Sequence, residues 1–172
     1  IVIFCGDNGY YAGSRGFAGK WSHYEESLRV PLIVYDPRLP AARRGQVRRE
    51  MALNVDVAPT MLAAAGIKTP SEVQGRSLFT LIQPGQRQGW RSEFFCEHLF
   101  DHPTIPKWEG VRGERWVYAR YFQQQPPFEF LHDLQTDPDQ RRNLARDPKH
   151  ADTLAKLQRR CNALRKKYGG SY

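Results

Sequence analysis

Cysteine is scarce and scattered in this 172-residue chain, with Cys5, Cys96 and Cys161 its three members. None belongs to a Cys-x-x-Cys pair, which argues against a disulfide framework and against a structural zinc site. Long apolar runs are missing too. None approaches the roughly 20 residues that cross a bilayer, so no membrane span is expected. Acidic side chains are outnumbered, 18 against 26 Lys and Arg, for a net charge of +8. Such a balance suits polyanions in general: nucleic acid, sulfated polysaccharide or an anionic membrane surface. Its distribution forms no nucleic-acid stripe. Arg159, Arg160, Arg165, Lys166 and Lys167 lie on one amphipathic segment, and Arg43-Arg44 and Arg48-Arg49 lie elsewhere. A solvated basic surface with no nucleic-acid partner is the expectation. A starting Met and a polar lead-in are also missing, because the chain opens inside an apolar run. It reads as the back part of a longer protein, and its lack of a signal sequence then says nothing about compartment.

Ile1-Val2-Ile3-Phe4 and Pro31-Leu32-Ile33-Val34-Tyr35 are short apolar runs, expected to be buried strands. Between them lies a stretch rich in Gly, Tyr and charge, which suits a loop laid close to a ligand. Asp56 is placed to cap a helix with Pro59 in its first turn and Gly66 closing it. Residues 68–92 read as a surface connection containing Pro70, Gly75, Pro84 and Gly89. Phe94-Phe95 opens a strand. Trp116 to Phe122 is another by composition, with Glu109 to Arg115 as its hairpin partner through Gly113-Glu114. Phe128 to Leu134 gives one more. The last helix has Asp147 as N-cap, Pro148 in its first turn, Gly169 at its end, and a stripe of Leu154, Leu157, Cys161, Leu164 and Tyr168. That stripe is expected to lie against the small sheet.

Asp7-Asn8-Gly9 follows directly on the first apolar run, and Lys20 comes shortly after in Gly19-Lys20-Trp21. Open α/β sheets place ligand sites at such strand ends. Taken alone, the tripeptide is either a tight turn, whose residues tolerate positive φ, or a pair of oxygen ligands for a hard cation. Lys20 alone is either a surface lysine or an anion contact.

The longer pattern is more specific. Ile1 to Phe4 with Asp7-Asn8-Gly9, then Gly16-Phe17-x-Gly19-Lys20, then Tyr24-Glu25-Glu26-Ser27-x-Arg29-Val30-Pro31 closely resembles the sulfatase family. The likeness continues in Asp56-Val57-Ala58-Pro59-Thr60, in Gln74-Gly75-Arg76-Ser77-Leu78, and in Asp133-Leu134-x-x-Asp137-Pro138 with Asn143-Leu144. The pieces keep the family's order and cover most of the chain.

The resemblance implies that Asp7 and Asn8 are two oxygen ligands of an active-site Ca²⁺, and that Lys20 contacts the sulfate ester. It also implies a formylglycine nucleophile, made from Cys or Ser in a Cys/Ser-x-Pro-x-Arg motif. No such motif occurs in this chain. The missing N-terminal part of its own catalytic domain would supply it, and the fragment alone is expected to be inactive. Where many members carry Glu-His, this chain has Ser14-Arg15; Arg15 is either a further anion contact or packs outward. His98 and His102, in Cys96-Glu97-His98-Leu99-Phe100-Asp101-His102, are candidate sugar contacts, with loop packing as the alternative. Glu25 or Glu26 is expected to anchor a loop by pairing with Arg29.

The expected fold class is α/β, the tail of an alkaline-phosphatase-like sandwich followed by a small antiparallel sheet with a packed C-terminal helix. Residues 1–92 are assigned to the catalytic domain and 93–172 to a small C-terminal subdomain. The expected function is hydrolysis of a sulfate ester by the parent protein, with sulfated carbohydrate as substrate. The resemblance places it in a bacterial periplasm or outside the cell. Two alternatives are a phosphodiester or phosphonate monoester hydrolase of the same superfamily, and a non-catalytic polyanion-binding fragment.

Overall fold

Apolar and aromatic runs become strands, and the amphipathic segments become helices. The computed structural model describes residues 1–83 and 89–169. In chain order they form β1 (Val2–Cys5), α1 (Glu25–Leu28), β2 (Leu32–Tyr35), α2 (Val57–Ala64), α3 (Phe79–Ile82), β3 (Glu93–His98), β4 (Trp108–Gly113), β5 (Trp116–Tyr121), β6 (Phe128–Asp133) and α4 (Ala151–Tyr168). The chain divides into two units, Ile1–Asn8 with Arg29–Arg91, and Gly9–Leu28 with Ser92–Tyr172. The units change at Arg91 and Ser92, and the Gly-rich segment 9–28 clusters with the C-terminal residues.

In the first unit β1 and β2 pair antiparallel, with Val2 opposite Tyr35 and Phe4 opposite Ile33. Directly opposed residues share a sheet face. On this face Val2 is 60%, Phe4 58%, Ile33 59% and Tyr35 53% exposed. The expectation of buried strands is thus corrected: among the described residues no layer covers this face. Four large apolar side chains side by side are a surface that needs a partner.

Asp56 has a different job from the one expected. It precedes α2 but its side chain caps no N–H of that helix. Fully buried, its carboxylate accepts from the backbone N–H groups of Leu53 and Arg76, both at 2.8 Å, and takes both terminal nitrogens of Arg91. Thr60 Oγ1 donates to the Asp56 carbonyl at 2.6 Å and accepts from Leu78 N–H at 2.8 Å. A Cβ on Gly75 would stand 1.8 Å from the Val55 carbonyl oxygen, so only glycine permits this approach. The two sequence segments around Asp56 and Gly75-Arg76 are thereby one buried polar junction. Residues 68–92 are more than a surface connection, since they contain α3 and the buried Leu78 and Leu81; Pro84 lies outside the described residues. As expected, α2 ends at Gly66 (φ 71°), where Ile67 N–H donates to the Leu62 carbonyl at 2.9 Å.

The second unit is built on an antiparallel sheet in the order β3-β4-β5-β6. One face carries Phe95, Val111 and Tyr118, onto which α4 packs Leu154, Leu157, Cys161 and Leu164. That is the stripe the sequence predicts. Desolvation in this core pushes the Cys161 thiol up to about 12, which keeps it protonated and inert. Buried Glu109 on the same face pairs with Arg120 and, at 3.5 Å, with Arg165. Asp147 caps the turn leading into α4, accepting from Lys149 N–H at 3.0 Å.

The opposite face carries Trp108, Tyr121, Phe130 and His132, and segment 9–28 packs on it through His23 and Tyr24. The downstream loop is locked by Asn143. Its side-chain oxygen accepts from Leu131 and Ala145 N–H, each at 3.0 Å, while its amide donates to the Glu129 carbonyl at 2.9 Å.

Candidate functional site

Asp7 and Asn8 sit just past the end of β1, in the first unit. Asn8 N–H donates to Asp7 Oδ1 at 2.9 Å, and Asn54 donates its side-chain amide to the Asp7 carbonyl at 2.6 Å. The chain is therefore held on both sides of the carboxylate. Among the described residues no cluster of three or more His, Cys, Asp or Glu side chains is assembled to hold a metal. The donors on offer are a carboxylate and an amide oxygen, which match the all-oxygen shell of Ca²⁺ and not a thiophilic metal. Ca²⁺ takes six to eight oxygens, so these two residues fit part of such a shell.

Gly9 is required for a reason other than a left-handed turn. It has no positive φ; instead a Cβ there would lie 2.0 Å from the carbonyl oxygen of Glu26 in α1. Its N–H donates to the Ser27 carbonyl at 2.9 Å. Gly9→Ala is expected to destabilise the second unit by at least about 2 kcal/mol, since backbone must move. A urea titration that finds the variant as stable as wild type would remove this explanation.

Lys20 is positioned by its own backbone neighbours. Gly19 takes a left-handed φ of 84°, and its carbonyl accepts from Tyr11 N–H at 2.9 Å. The Lys20 carbonyl accepts from the Ser27 hydroxyl. Ser27 of the Tyr-Glu-Glu-Ser stretch thus grips both Gly9 and Lys20. The Lys20 ammonium lies 5.6 Å from the centre of the Trp21 ring.

Arg15 is turned into the unit, not outward. Its Nε meets Glu26 Oε1 at 2.9 Å, and its terminal nitrogens donate to the carbonyls of Gln140, at 3.2 Å, and Asp139. The guanidinium also covers the Tyr24 ring at 4.1 Å. Arg15 itself holds φ at 58°, a strained value for a non-glycine residue that these bonds sustain. Glu25 pairs with Arg112 through two 3.0 Å contacts. Both glutamates therefore anchor loops, as expected, but their partners are Arg15 and Arg112 in place of Arg29.

His98 ends β3, so His98 and His102 do not share a helix. His98 Nδ1 accepts from Phe100 N–H at 3.3 Å, which leaves its proton on Nε2. That Nε2–H is buried and has no hydrogen-bond partner. Burial holds the imidazole below its ordinary pKa and so favours the neutral ring. His102 is exposed, with Nδ1 accepting from Thr104 N–H at 3.2 Å.

Sequence reading missed a buried histidine pair. His23 Nε2 and His132 Nε2 are 3.2 Å apart; His23 Nδ1 lies 3.0 Å from the Tyr121 hydroxyl and His132 Nδ1 3.0 Å from the Arg142 carbonyl. A carbonyl only accepts, which fixes every proton. His132 Nδ1–H donates to Arg142, His23 Nε2–H donates to His132, and Tyr121 O–H donates to His23. Both rings are neutral. Desolvation first, then the charges of the neighbouring His132 and Arg15, keeps His23 well below 6.5, and desolvation also lowers His132. In the unfolded chain the same rings protonate near 6.5. Stability is therefore complete above that pH and declines as pH falls below it, because the unfolded state binds more protons. The melting temperature is expected to drop between pH 7 and pH 5, and less steeply in His23→Phe. Equal slopes in the two proteins would refute this assignment.

Comparison with known proteins now places the chain. A family described as "N-sulphoglucosamine sulphohydrolase, C-terminal" matches residues 13–167. An N-acetylglucosamine-6-O-sulfatase of Bacteroides thetaiotaomicron is 27% identical over 173 residues, spanning 98% of this chain and 30% of its own length. A multifunctional alkaline phosphatase superfamily protein, PehA of Trinickia caryophylli, is 30% identical over 164 residues, 88% of this chain and 31% of its own. A solved structure in complex with its substrate, D-glucosamine-2-N,6-O-disulfate, superposes with a TM-score of 0.86 at 25% identity, over 97% of this chain and 34% of that one. The chain thus spans about a third of the length of the curated relatives it matches. Its fold is that of the alkaline-phosphatase-like sulfatases, and the four-stranded sheet with α4 is the expected C-terminal element. The chain belongs to the sulfatase family, as the C-terminal region described for N-sulphoglucosamine sulphohydrolase.

Proposed function

We propose that the protein carrying this chain hydrolyses sulfate esters of carbohydrates, and that this chain supplies Lys20 to the sulfate and Asp7 and Asn8 to a calcium ion. The observation that carries the reading is the Asp7-Asn8 and Gly19-Lys20 pair of motifs, in family order, on a fold superposable with a protein bound to a disulfated glucosamine. The backbone bonds that fix Gly19 and Lys20 support it, since a charge-stabilising group must be held before the reaction begins.

The Lys20 ammonium neutralises charge on the sulfuryl oxygens and on the leaving oxygen as the S–O bond breaks. A calcium ion held by Asp7 and Asn8 would supply positive charge to a sulfuryl oxygen. His98 presents a buried Nε2–H without an acceptor, suited to a sugar hydroxyl or sulfate oxygen; His102 flanks it from an exposed turn. Arg15 supports the loop from within, because its guanidinium is already committed to Glu26, Asp139 and Gln140. The formylglycine nucleophile lies outside this chain. So does the surface that covers Val2, Phe4, Ile33 and Tyr35, which we assign to the rest of the catalytic domain. We assign residues 1–92 to that domain and 93–172 to a small C-terminal subdomain. Among the described residues no helix is long and apolar enough to cross a membrane. A periplasmic or extracellular setting is part of the same proposal, supported by relatives named as extracellular sulfatases.

Incubating the intact protein with glucosamine 6-sulfate should release inorganic sulfate. A calcium chelator should stop release and added Ca²⁺ should restore it. Sulfate release unaffected by chelation would remove Asp7 and Asn8 from the site. A second reading, phosphodiester or phosphonate ester hydrolysis, draws on the likeness to a solved phosphonate monoester hydrolase of Silicibacter pomeroyi, 26% identical with a TM-score of 0.83 over 96% of this chain and 34% of that one.

A further inference from the structure

We propose that Trp21 and Phe100 form a stacking platform for the pyranose ring whose sulfate Lys20 engages. This rests on the carbohydrate sulfatase reading and adds to it the groups that hold the sugar itself. Trp21 is 41% and Phe100 55% exposed, although both are large apolar rings. Their planes are within 18° of parallel with centroids 6.1 Å apart. The His98 ring stands 5.3 Å from Trp21, and His102 lies 5.9 Å from Phe100 at 24°, so four rings from two distant segments are gathered on one surface.

Hydrogen bonds anchor the backbone of both segments. The Trp21 carbonyl accepts from the indole N–H of buried Trp108 at 3.0 Å. The turn carrying Phe100 is closed by its own N–H on His98, and Lys107 pairs with Asp101 at 2.8 Å. Exposed aromatic rings contribute little to a core and are suited to a ligand.

Charge and chemistry choose the occupant. The ammonium of Lys20 lies 5.6 Å from the Trp21 ring centre, so a positive charge stands beside an apolar face. A sulfated pyranose matches both: C–H bonds across its ring face and a sulfate at its rim. Aromatic rings accept the former, and the exposed imidazole of His102 borders the platform with a polar edge for hydroxyls.

Steady-state kinetics of the intact protein on glucosamine 6-sulfate test this. Trp21→Ala and Phe100→Ala should each raise KM about tenfold, the equivalent of one lost stacking contact. Their kcat should move by less than about threefold. Trp21→Phe and Phe100→Tyr keep a ring and should keep the wild-type KM, which separates stacking from misfolding. Titrating the wild-type protein with glucosamine 6-sulfate should also quench tryptophan fluorescence saturably, and Trp21→Phe should lose most of that signal. Wild-type turnover with unchanged KM in both alanine variants would overturn the platform alone. An intact protein that releases sulfate from no ester would overturn the hydrolase reading beneath it. Alanine variants that keep their KM yet lose binding to an apolar protein surface would assign the rings to a protein partner, again overturning the platform.

Discussion

Lys20→Ala in the intact protein is expected to lower kcat on a sulfate ester by about 10²–10³-fold, the usual cost of removing one preorganised charge contact in a transition state. The argument is geometric as well as electrostatic. Lys20 follows a left-handed Gly19, and both carbonyls are tied to the unit, by Tyr11 and by Ser27. Those bonds belong to the backbone and survive the substitution. The melting temperature should therefore stay within a few degrees of wild type while turnover collapses. A variant that melts early and retains its kcat would make Lys20 a structural residue. Lys20→Arg is an informative companion, because a broad planar guanidinium does not reproduce a compact ammonium. It should recover only part of the lost rate.

The largest effect on stability is expected at Asp56. Its carboxylate is fully buried and receives two backbone N–H groups together with Arg91. Asp56→Ala leaves the Arg91 charge without its partner and two amides unsatisfied, an expected loss of about 3–5 kcal/mol. Asp56→Asn keeps an oxygen for one amide and should lose less. Chemical denaturation of the three proteins orders them, and an alanine variant within about 1 kcal/mol of wild type would show that the junction is not a determinant of stability. Because the Gly75-Arg76 segment is held by the same carboxylate, its backbone amides should lose hydrogen-exchange protection in Asp56→Ala.

Local patterns carried much of the fold. The aromatic and β-branched content of Trp116 to Tyr121, the Gly113-Glu114 turn and the Leu154–Tyr168 stripe are properties of neighbouring residues, and each became the element expected. What escaped the sequence was pairing over distance. His23 meets His132 across 109 positions, and Glu25 meets Arg112 across 87, and no periodicity links such residues. Arg29 was the nearer partner for the glutamates on paper, but it belongs to the other unit.

Two expectations failed for physical reasons that are specific to this chain. Burial was inferred from the apolar runs of β1 and β2 alone, whereas the described residues leave the face of Val2, Phe4, Ile33 and Tyr35 uncovered. Gly9 was read through its turn preference, whereas its real constraint is the carbonyl of Glu26, which comes from a helix much later in the segment. The proposed site residues Asp7, Asn8 and Lys20 stand out as motifs in the sequence, but the hold of Ser27 on Gly9 and Lys20, and of Glu26 on Arg15, appears only once the chain is folded.

Paired kinetics on one preparation of the intact protein test the central claim most directly. Glucosamine 6-sulfate and a phosphonate monoester are turned over under the same conditions, and kcat/KM is compared. The expected result is a preference for the sulfate ester of at least about 100-fold, nearly 3 kcal/mol of differential transition-state binding. An equal or reversed preference would contradict the account and assign the chain to the phosphonate and phosphodiester branch of its superfamily.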